Sequence, residues 1–528
     1  MSLANRVATV GGLTLISRIL GFIRDQLIAF ILGTGPVSQA FVVAQRFPNL
    51  FRALFAEGAF NAAFVPQFAR KLEGEGEAAA HELALEVFSV LFSWLVVFST
   101  FVIIFMPAVM FLIAPGFLEA DQKFELAVSL TRIAFPYLIF ISLTALQSGV
   151  LNATGRFGAA AAAPILLNVI MIIANGIAWL LDTGHEAATG YILSVGLLVA
   201  GIAQYFLLSA ACKRIGMPLF PRLPRLSPGV KKVLWLSVPG IISGGIIQIN
   251  LVFGQMIATT IDRAVSYLYF ADRMFQLPLG VIGVAIGVVL LPDLSKKIRA
   301  GELDKAKDVQ NRALELSLFL TLPAASALAI MSAAIFHTLF EHGAFTQADT
   351  IAVAPALSAY AMGLPAFALV KVFQPSFYAR EDTRTPMQFA IISVVVNLGF
   401  ALSLAPNFGH IGIALAVSIS AWMNAMQLTL TALRRGYFQF DARFLKRFPR
   451  ILITFFGMSI ILWALMQWFG DVFAQAIHFG VKLAALVGFT LVGSGIYFLF
   501  AHLSGAMKLA ELAGFLHKRP RTPSPPPA

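Results

Sequence analysis

Charge is scarce in this 528-residue chain: 12% of its residues are Asp, Glu, Lys or Arg, where soluble domains carry about 25%. A soluble enzyme of this length is therefore improbable on composition alone. Cysteine is almost missing, and the single Cys212 excludes a disulfide framework and a cysteine-based metal site. Catalytic signatures are missing as well. No His/Glu pair stands at metalloprotease spacing, no nucleophile elbow occurs, and no glycine-rich phosphate loop ends in Lys-Ser or Lys-Thr, so direct use of ATP is not available to the chain. The first apolar run carries Arg18 and Arg24 and is followed by no small-residue cleavage pattern, so it reads as a retained span rather than a cleavable signal.

What is present is apolar surface. Hydrophobic residues make up 59% of the chain and the mean hydropathy is +0.83. Runs such as Val87 to Ala114 and Phe389 to Leu404 do not alternate, which points to membrane helices and not to a barrel. Apolar runs between polar breaks predict fourteen transmembrane helices, centred near Leu20, Asn49, Phe101, Ile141, Met171, Val199, Gly245, Ile282, Ala325, Ala361, Val395, Ser418, Ile460 and Val492. The net charge of +12 is mostly loop charge. Lys and Arg gather in alternate loops, among them Lys213 to Lys232, Lys296 to Arg312 and Arg434 to Arg450, while the opposite loops carry Glu119, Asp121, Glu125, Asp182, Glu186, Glu341 and Asp349. By the positive-inside rule both termini are cytoplasmic, and the basic excess is no sign of nucleic-acid binding. The Pro-rich stretch from Arg519 to Ala528 reads as a disordered tail.

An internal repeat organises these spans. Ala44-Gln45-Arg46 through Pro66 is matched, at an offset of about 227, by Ala271-Asp272-Arg273 through Pro292. Further on Gly116-Phe117 matches Gly343-Ala344-Phe345, Pro136 falls opposite Pro365, and Ala153 to Arg156 before Asn168 corresponds to Ala379 to Arg384 before Asn397. The reading is an all-α integral membrane protein of two six-helix lobes in parallel orientation plus two C-terminal helices. Its divisions are an N-lobe at 1–215, a cytoplasmic linker at 216–233, a C-lobe at 234–436, the last two helices at 437–505 and a cytoplasmic tail at 506–528.

Within the bilayer an ionisable side chain costs about 2.5 to 3.5 kcal/mol on insertion scales, so each one is a functional candidate. Arg18, Gly21 and Arg24 share one helical arc with Ser17 and Asp25 at its edges, and Arg46, Asn49 and Arg52 repeat that geometry on the second helix. Arg273 holds the repeat position of Arg46, and Lys371 lies on the tenth helix. Asp25, Glu57 and Asp272 are the only carboxylates at comparable depth, so cations outnumber anions and an anionic guest is expected. Guanidinium forks suit phosphate or carboxylate. Each position also has a plain structural reading: Arg24 and Asp25 snorkelling to an interface, Arg52 and Glu57 locking the second helix as an ion pair, Lys371 packing or snorkelling. The sequence assigns no metal ligands and leaves a coupling cation open. Asp382, Asn397 and Asn424 could offer oxygen to a coupling cation, although isolated polar residues of this kind more often bond between helices.

With these residues in view, the chain resembles the MurJ/MviN family of lipid II flippases, within the multidrug/oligosaccharidyl-lipid/polysaccharide exporter superfamily. The resemblance is carried by Ser17-Arg18-Ile19-Leu20-Gly21-Phe22-Ile23-Arg24-Asp25, Pro48-Asn49-Leu50-Phe51-Arg52, Phe55-Ala56-Glu57-Gly58-Ala59-Phe60, Tyr269-Phe270-Ala271-Asp272-Arg273 and Asp382-Thr383-Arg384-Thr385-Pro386. It implies a transporter of the bacterial inner membrane, not an enzyme, with no cofactor. The implied substrate is undecaprenyl-pyrophosphate-linked MurNAc-pentapeptide-GlcNAc, its pyrophosphate held by Arg18, Arg24, Arg52 and Arg273, with weaker implication for Ser17, Gly21, Asp25, Arg46, Asn49 and Glu57. The last two helices are implied as a groove for the lipid tail, and membrane lipids and cell-wall synthesis proteins as partners. Gln39 and Ala53 depart from the family pattern, which often has an aspartate and a second arginine there. Competing readings are a flippase for another polyprenyl-linked glycan, a drug exporter of the same superfamily, a membrane enzyme, or a scaffold of the cell-wall machinery.

Overall fold

The computed structural model describes residues 3–52, 59–184, 186–474 and 477–506, and at 3–8, 59–62, 239, 242–243, 246–247 and 281–289 it describes the backbone alone. All regular structure among the described residues is helical. The first half runs α1 (Leu3–Leu32), α2 (Pro36–Arg52), α3 (Ala59–Gly74), α4 (Glu77–Ile104), α5 (Met106–Ile113), α6 (Asp121–Ala134), α7 (Tyr137–Ala153), α8 (Phe157–Leu180) and α9 (Ala187–Arg214). The second runs α10 (Pro228–Thr259), α11 (Ala264–Arg299), α12 (Leu303–Ile330), α13 (Ser332–Leu339), α14 (Gln347–Ala361), α15 (Leu364–Tyr378), α16 (Arg384–Arg434), α17 (Ala442–Phe469) and α18 (Phe479–Ser504). Among the described residues nine helices are long and apolar enough to cross a membrane, which makes this a multi-pass membrane protein.

Nine is fewer than the fourteen spans expected from the sequence. The candidates near Val395 and Ser418 both fall in the 51-residue α16, a pair of helices joined across Gly409 at φ 57°. The helix around Asn49 is α2, whose 17 residues fall short of a span of about 20. The runs near Leu20, Gly245 and Ile282 are helical, as α1, α10 and α11, without standing among the nine.

The sequence repeat reappears as a repeat of helices. Both α4 and α12 have 28 residues and begin 226 residues apart, and α6 and α14 begin 226 apart. The pairs α7 with α15 and α8 with α16 begin 227 apart. Pro136 and Pro365 mark the same interruption in each copy, one at the start of α7 and one in the first turn of α15. Proline lacks an amide donor and pushes its predecessor out of the α region, so a continuous span breaks there.

Contacts divide the chain into two compact units, the first Met1–Arg273 with Phe340–Val353 and Val394–Ala416, the second Met274–Leu339 with Ala354–Ser393 and Val417–Ala528. In the first, α8 packs against both α1 and α9. Glycine makes the approach of α9 possible: a Cβ on Gly196 would stand 2.7 Å from Ala174 Cβ, and one on Gly201 2.6 Å from the Tyr137 ring. The C-terminal end of α1 is tied to the 343–349 segment. Ala344 N donates to Phe30 O at 2.7 Å, Thr34 Oγ1 donates to the buried Asp349 carboxylate, and Arg263 lies 3.6 Å from that carboxylate. Gly33 and Gly343 face this seam with φ of 54° and 60°, and a Cβ on either would run into backbone of the other strand of the seam.

In the second unit α12 packs on α15 and α17, and α17 on α18. Phe373, Phe377, Phe438 and Phe444 form the core beside Leu314 and Leu318. The N-terminal half of α12 carries an ionic cluster around a buried carboxylate. Glu315, 2% exposed, meets Arg312, with Arg443 and Arg447 each 3.4 Å from its second oxygen, and Arg312 also reaches Asp441 and Asp308.

Candidate binding site

Helix α1 supplies the first cationic group through polar residues spread from Ser17 to Asp25, about two turns of an otherwise apolar helix. Arg24 and Asp25 are 6% and 4% exposed, so both side chains are buried within the protein. Burying them is tolerable because nearly every polar atom has a partner. Arg24 Nε and Nη2 donate to Asp25 Oδ1 at 3.0 and 2.7 Å, and Nη1 donates to Asn168 Oδ1 at 3.0 Å. Asn168, on α8, turns its amide nitrogen to the Ser17 carbonyl at 2.8 Å and to Ser17 Oγ at 3.4 Å. A Cβ on Gly21 would lie 3.4 Å from that same amide, so Gly21 leaves just the room that Asn168 occupies.

From α11, Tyr269 Oη donates to Asp25 Oδ1 at 3.0 Å and Arg273 Nε lies 3.4 Å from Asp25 Oδ2. The guanidiniums of Arg273 and Arg46 stand over the Tyr269 ring at 4.8 and 5.4 Å from its centre. One carboxylate thus organises two arginines and a tyrosine, and the tyrosine face gathers a third cation. Farther along α2, Asn49 Nδ2 donates to the Gln45 carbonyl at 2.8 Å and its oxygen accepts from Arg52 Nε at 3.0 Å. Arg18, Arg46, Arg52 and Arg273 are all partly exposed, Arg273 by 35% of its side chain.

The arginines divide by this geometry. Arg24 spends all three nitrogens on Asp25 and Asn168, so it holds the site together. Arg273 and Arg46 keep exposed guanidinium around the cluster, and Arg18 has no ion pair or hydrogen bond among the described residues, which leaves donors for an anion. Asp272 is half-buried on the neighbouring turn. Glu57 lies outside the described residues, so the Arg52–Glu57 pair does too. Lys371 is exposed on α15. Gln39 is fully buried, and both its amide atoms are without a hydrogen-bond partner among the described residues.

The three candidates for a coupling cation are divided between the two units. Asn397 Nδ2 donates to Asn250 Oδ1 at 2.7 Å in the first unit. Asp382, in the α15–α16 turn of the second, accepts from Thr385 N and Oγ1 at 3.0 and 2.7 Å and from Arg435 at 2.6 Å. Burial opposes its charge, but these hydrogen bonds and the Arg435 cation outweigh it and hold the carboxyl below its ordinary range. Asn424 belongs to the second unit, on α16. No group of three His, Cys, Asp or Glu able to hold a metal occurs among the described residues.

Asn168 and Tyr269 were visible only as a repeat landmark and as part of a family motif. Their signal was the one applied to the arginines: a lone polar group inside an apolar run, and for Tyr269 a position one turn before Arg273 on the same helix face.

The family described as "Lipid II flippase MurJ" matches residues 28–484. The chain belongs to the MurJ family. A protein of Rhizobium meliloti (strain 1021) named "Probable lipid II flippase MurJ" is 45% identical over 514 residues, covering 97% of this chain and 96% of that protein. A "Lipid II flippase MurJ" of Burkholderia cenocepacia is 36% identical, over 89% of this chain and 90% of its own length. Among solved structures, a MurJ flippase in an inward closed conformation superposes with a TM-score of 0.78 at 24% identity, covering 94% of this chain and 98% of that one. An inward-facing multidrug transporter of the MATE family and MOP superfamily gives a TM-score of 0.68 at 17% identity, over 79% of this chain and 94% of its own. These two similarities establish the fold. The MurJ membership expected from Ser17 to Asp25 and Tyr269 to Arg273 is the one found, and it is a family of transporters rather than enzymes.

Proposed function

We propose that this protein moves lipid II from the inner to the outer leaflet of the bacterial inner membrane, holding the pyrophosphate with the arginines around Asp25 and exposing it to each side in turn. One observation carries the reading within the family: around one buried carboxylate stand Arg24, Arg46 and Arg273, with Arg18 and Arg52 on the same two helices, an excess of guanidinium that a doubly charged phosphoanhydride would complete. Arg273, Arg46, Arg18 and Arg52 bind the headgroup, and Arg24 positions them through Asp25 and Asn168.

The membrane arrangement in this reading is fourteen spans, two parallel six-helix lobes followed by α17 and α18, supported by the helices that recur 226 to 227 residues apart. Both termini lie in the cytoplasm, supported by the placement of Lys and Arg. The tail of the lipid lies along α17, where Ile453, Phe456, Ile460 and Trp463 form one exposed apolar stripe. Purified protein in vesicles loaded with lipid II tests this. Arg273→Ala and Arg18→Ala should both depress transport and lipid II binding, and normal activity in both variants would sink the cation-site reading.

A further inference from the structure

Away from the Asp25 cluster, the first unit has a cavity of about 670 Å³ where the last turns of α7 and α9 meet the start of α8 and Thr9 of α1. Two guanidiniums line it, Arg156 from the α7–α8 turn and Arg214 from the last turn of α9, and both are exposed. Neither has an ion pair or a hydrogen bond from its side chain among the described residues. Two guanidiniums from separate elements line one cavity with no carboxylate among its lining residues, which leaves their donors to an anion. Thr9 and Thr154 also line it, and Leu151, Phe157 and Ile215 give it an apolar wall beside the charged pair. A fully hydrated anion has no use for such a wall, whereas the glycerol and first methylenes of a lipid do.

The surroundings extend the same chemistry. On α9 the side chains of Val195, Val199 and Phe206 are exposed and share one helical face, and Lys213 stands at the end of that face, one residue before Arg214. An acyl chain lying on the stripe would bring its phosphate to the basic end. The orientation proposed above puts that end at the inner leaflet, and the inference rests on that orientation but not on which lipid is transported.

We infer that the Arg156–Arg214 cavity binds the phosphate headgroup of an anionic phospholipid of the inner leaflet, at a site separate from the one that holds the transported headgroup. The phosphodiester sits between the two guanidiniums and the acyl chains leave along α9.

The full-length protein, purified in a neutral detergent and titrated with phosphatidylglycerol or phosphatidylcholine, provides the test, with lipid retention read by native mass spectrometry. Wild type should retain phosphatidylglycerol in preference to phosphatidylcholine. Arg156→Gln with Arg214→Gln should weaken phosphatidylglycerol retention by at least about tenfold, since two charge-assisted contacts are lost. Gly158→Trp keeps the charge and fills the cavity, because a Cβ there meets nothing within 4 Å, and should weaken retention similarly. Lipid II binding that responds to Arg273→Ala should persist in both variants, which separates failure of this site from failure of the transport reading. Equal retention of the two phospholipids by wild type, or unchanged phosphatidylglycerol retention in the double variant, would overturn the proposal. Displacement of phosphatidylglycerol by inorganic phosphate alone would overturn the lipid assignment in favour of a free anion.

Discussion

Two buried carboxylates in this protein are each surrounded by arginine, and the two clusters are built to different ends. Glu315 in the second unit meets Arg312, Arg443 and Arg447, while Asp441 and Asp308 answer Arg312 from outside, so three cations face three anions. Asp25 in the first unit meets Arg24 and Arg273 directly, with Arg46 gathered on the Tyr269 ring and Asp272 adding its charge beside Arg273, so three cations face two anions. The balanced cluster joins α12 to the start of α17 with its charges matched. The unbalanced one retains guanidinium with spare donors. The chemical inventory is the same, and the count of carboxylates decides whether arginine serves as a fastener or as a receptor.

The sharpest way to break the comparison is Glu315→Ala. Removing the anion takes away the one carboxylate shared by Arg312, Arg443 and Arg447 and should cost about 3 to 5 kcal/mol of stability, seen as a large fall in Tm, with lipid II affinity per folded molecule unchanged. If the affinity falls as well, the second cluster is no mere fastener. Arg273→Ala is the converse: a loss of about 1.5 to 3 kcal/mol in lipid II binding, roughly tenfold to a hundredfold, with Tm nearly unmoved. A drop in Tm as large as that of the glutamate variant would erase the distinction. Tyr269→Phe keeps the ring under Arg273 and Arg46 but deletes the hydroxyl bond to Asp25, so binding should weaken by only about 1 kcal/mol, measured in the same titration.

The smallest effect belongs to the exposed pair Asp382–Arg435, a control for ionic contacts outside both clusters. The Asp382 carboxyl is held low, so its stabilisation is present at neutral pH and is lost as the pH falls through the folded-state value. Asp382→Asn should lower Tm at neutral pH by an amount equivalent to less than about 1 kcal/mol, and the two proteins should converge in acid. A Tm difference that persists unchanged in acid would show that the effect is not ionic.

Much of this was legible in the residues. The non-alternating apolar runs give helices, and Arg18, Arg46, Arg52 and Arg273 stand out because charge inside an apolar run has few innocent explanations. What escaped is what depends on contacts distant in sequence. Asn168 reaches Arg24 across 144 residues, and Tyr269 reaches Asp25 across 244. Nothing in the spacing around Asp25 announces that it anchors both helices. The loop charges from Lys296 to Arg312 and Arg434 to Arg450 were read only as an orienting bias, because a sequence shows sign and not pairing. Folding brings Arg312 to Glu315 and Asp441 and turns part of that bias into a buried fastening.

The seam between Phe30 and Ala344 is a joint of main chain. Its hydrogen bond uses amide and carbonyl, and it closes only because Gly33 and Gly343 have no side chains to hold it apart. Acid and salt act on ionised side chains, but neither titrates nor screens a peptide group. Prising this joint open is therefore a mechanical matter, and one added methyl at either glycine is a wedge that would hold it ajar.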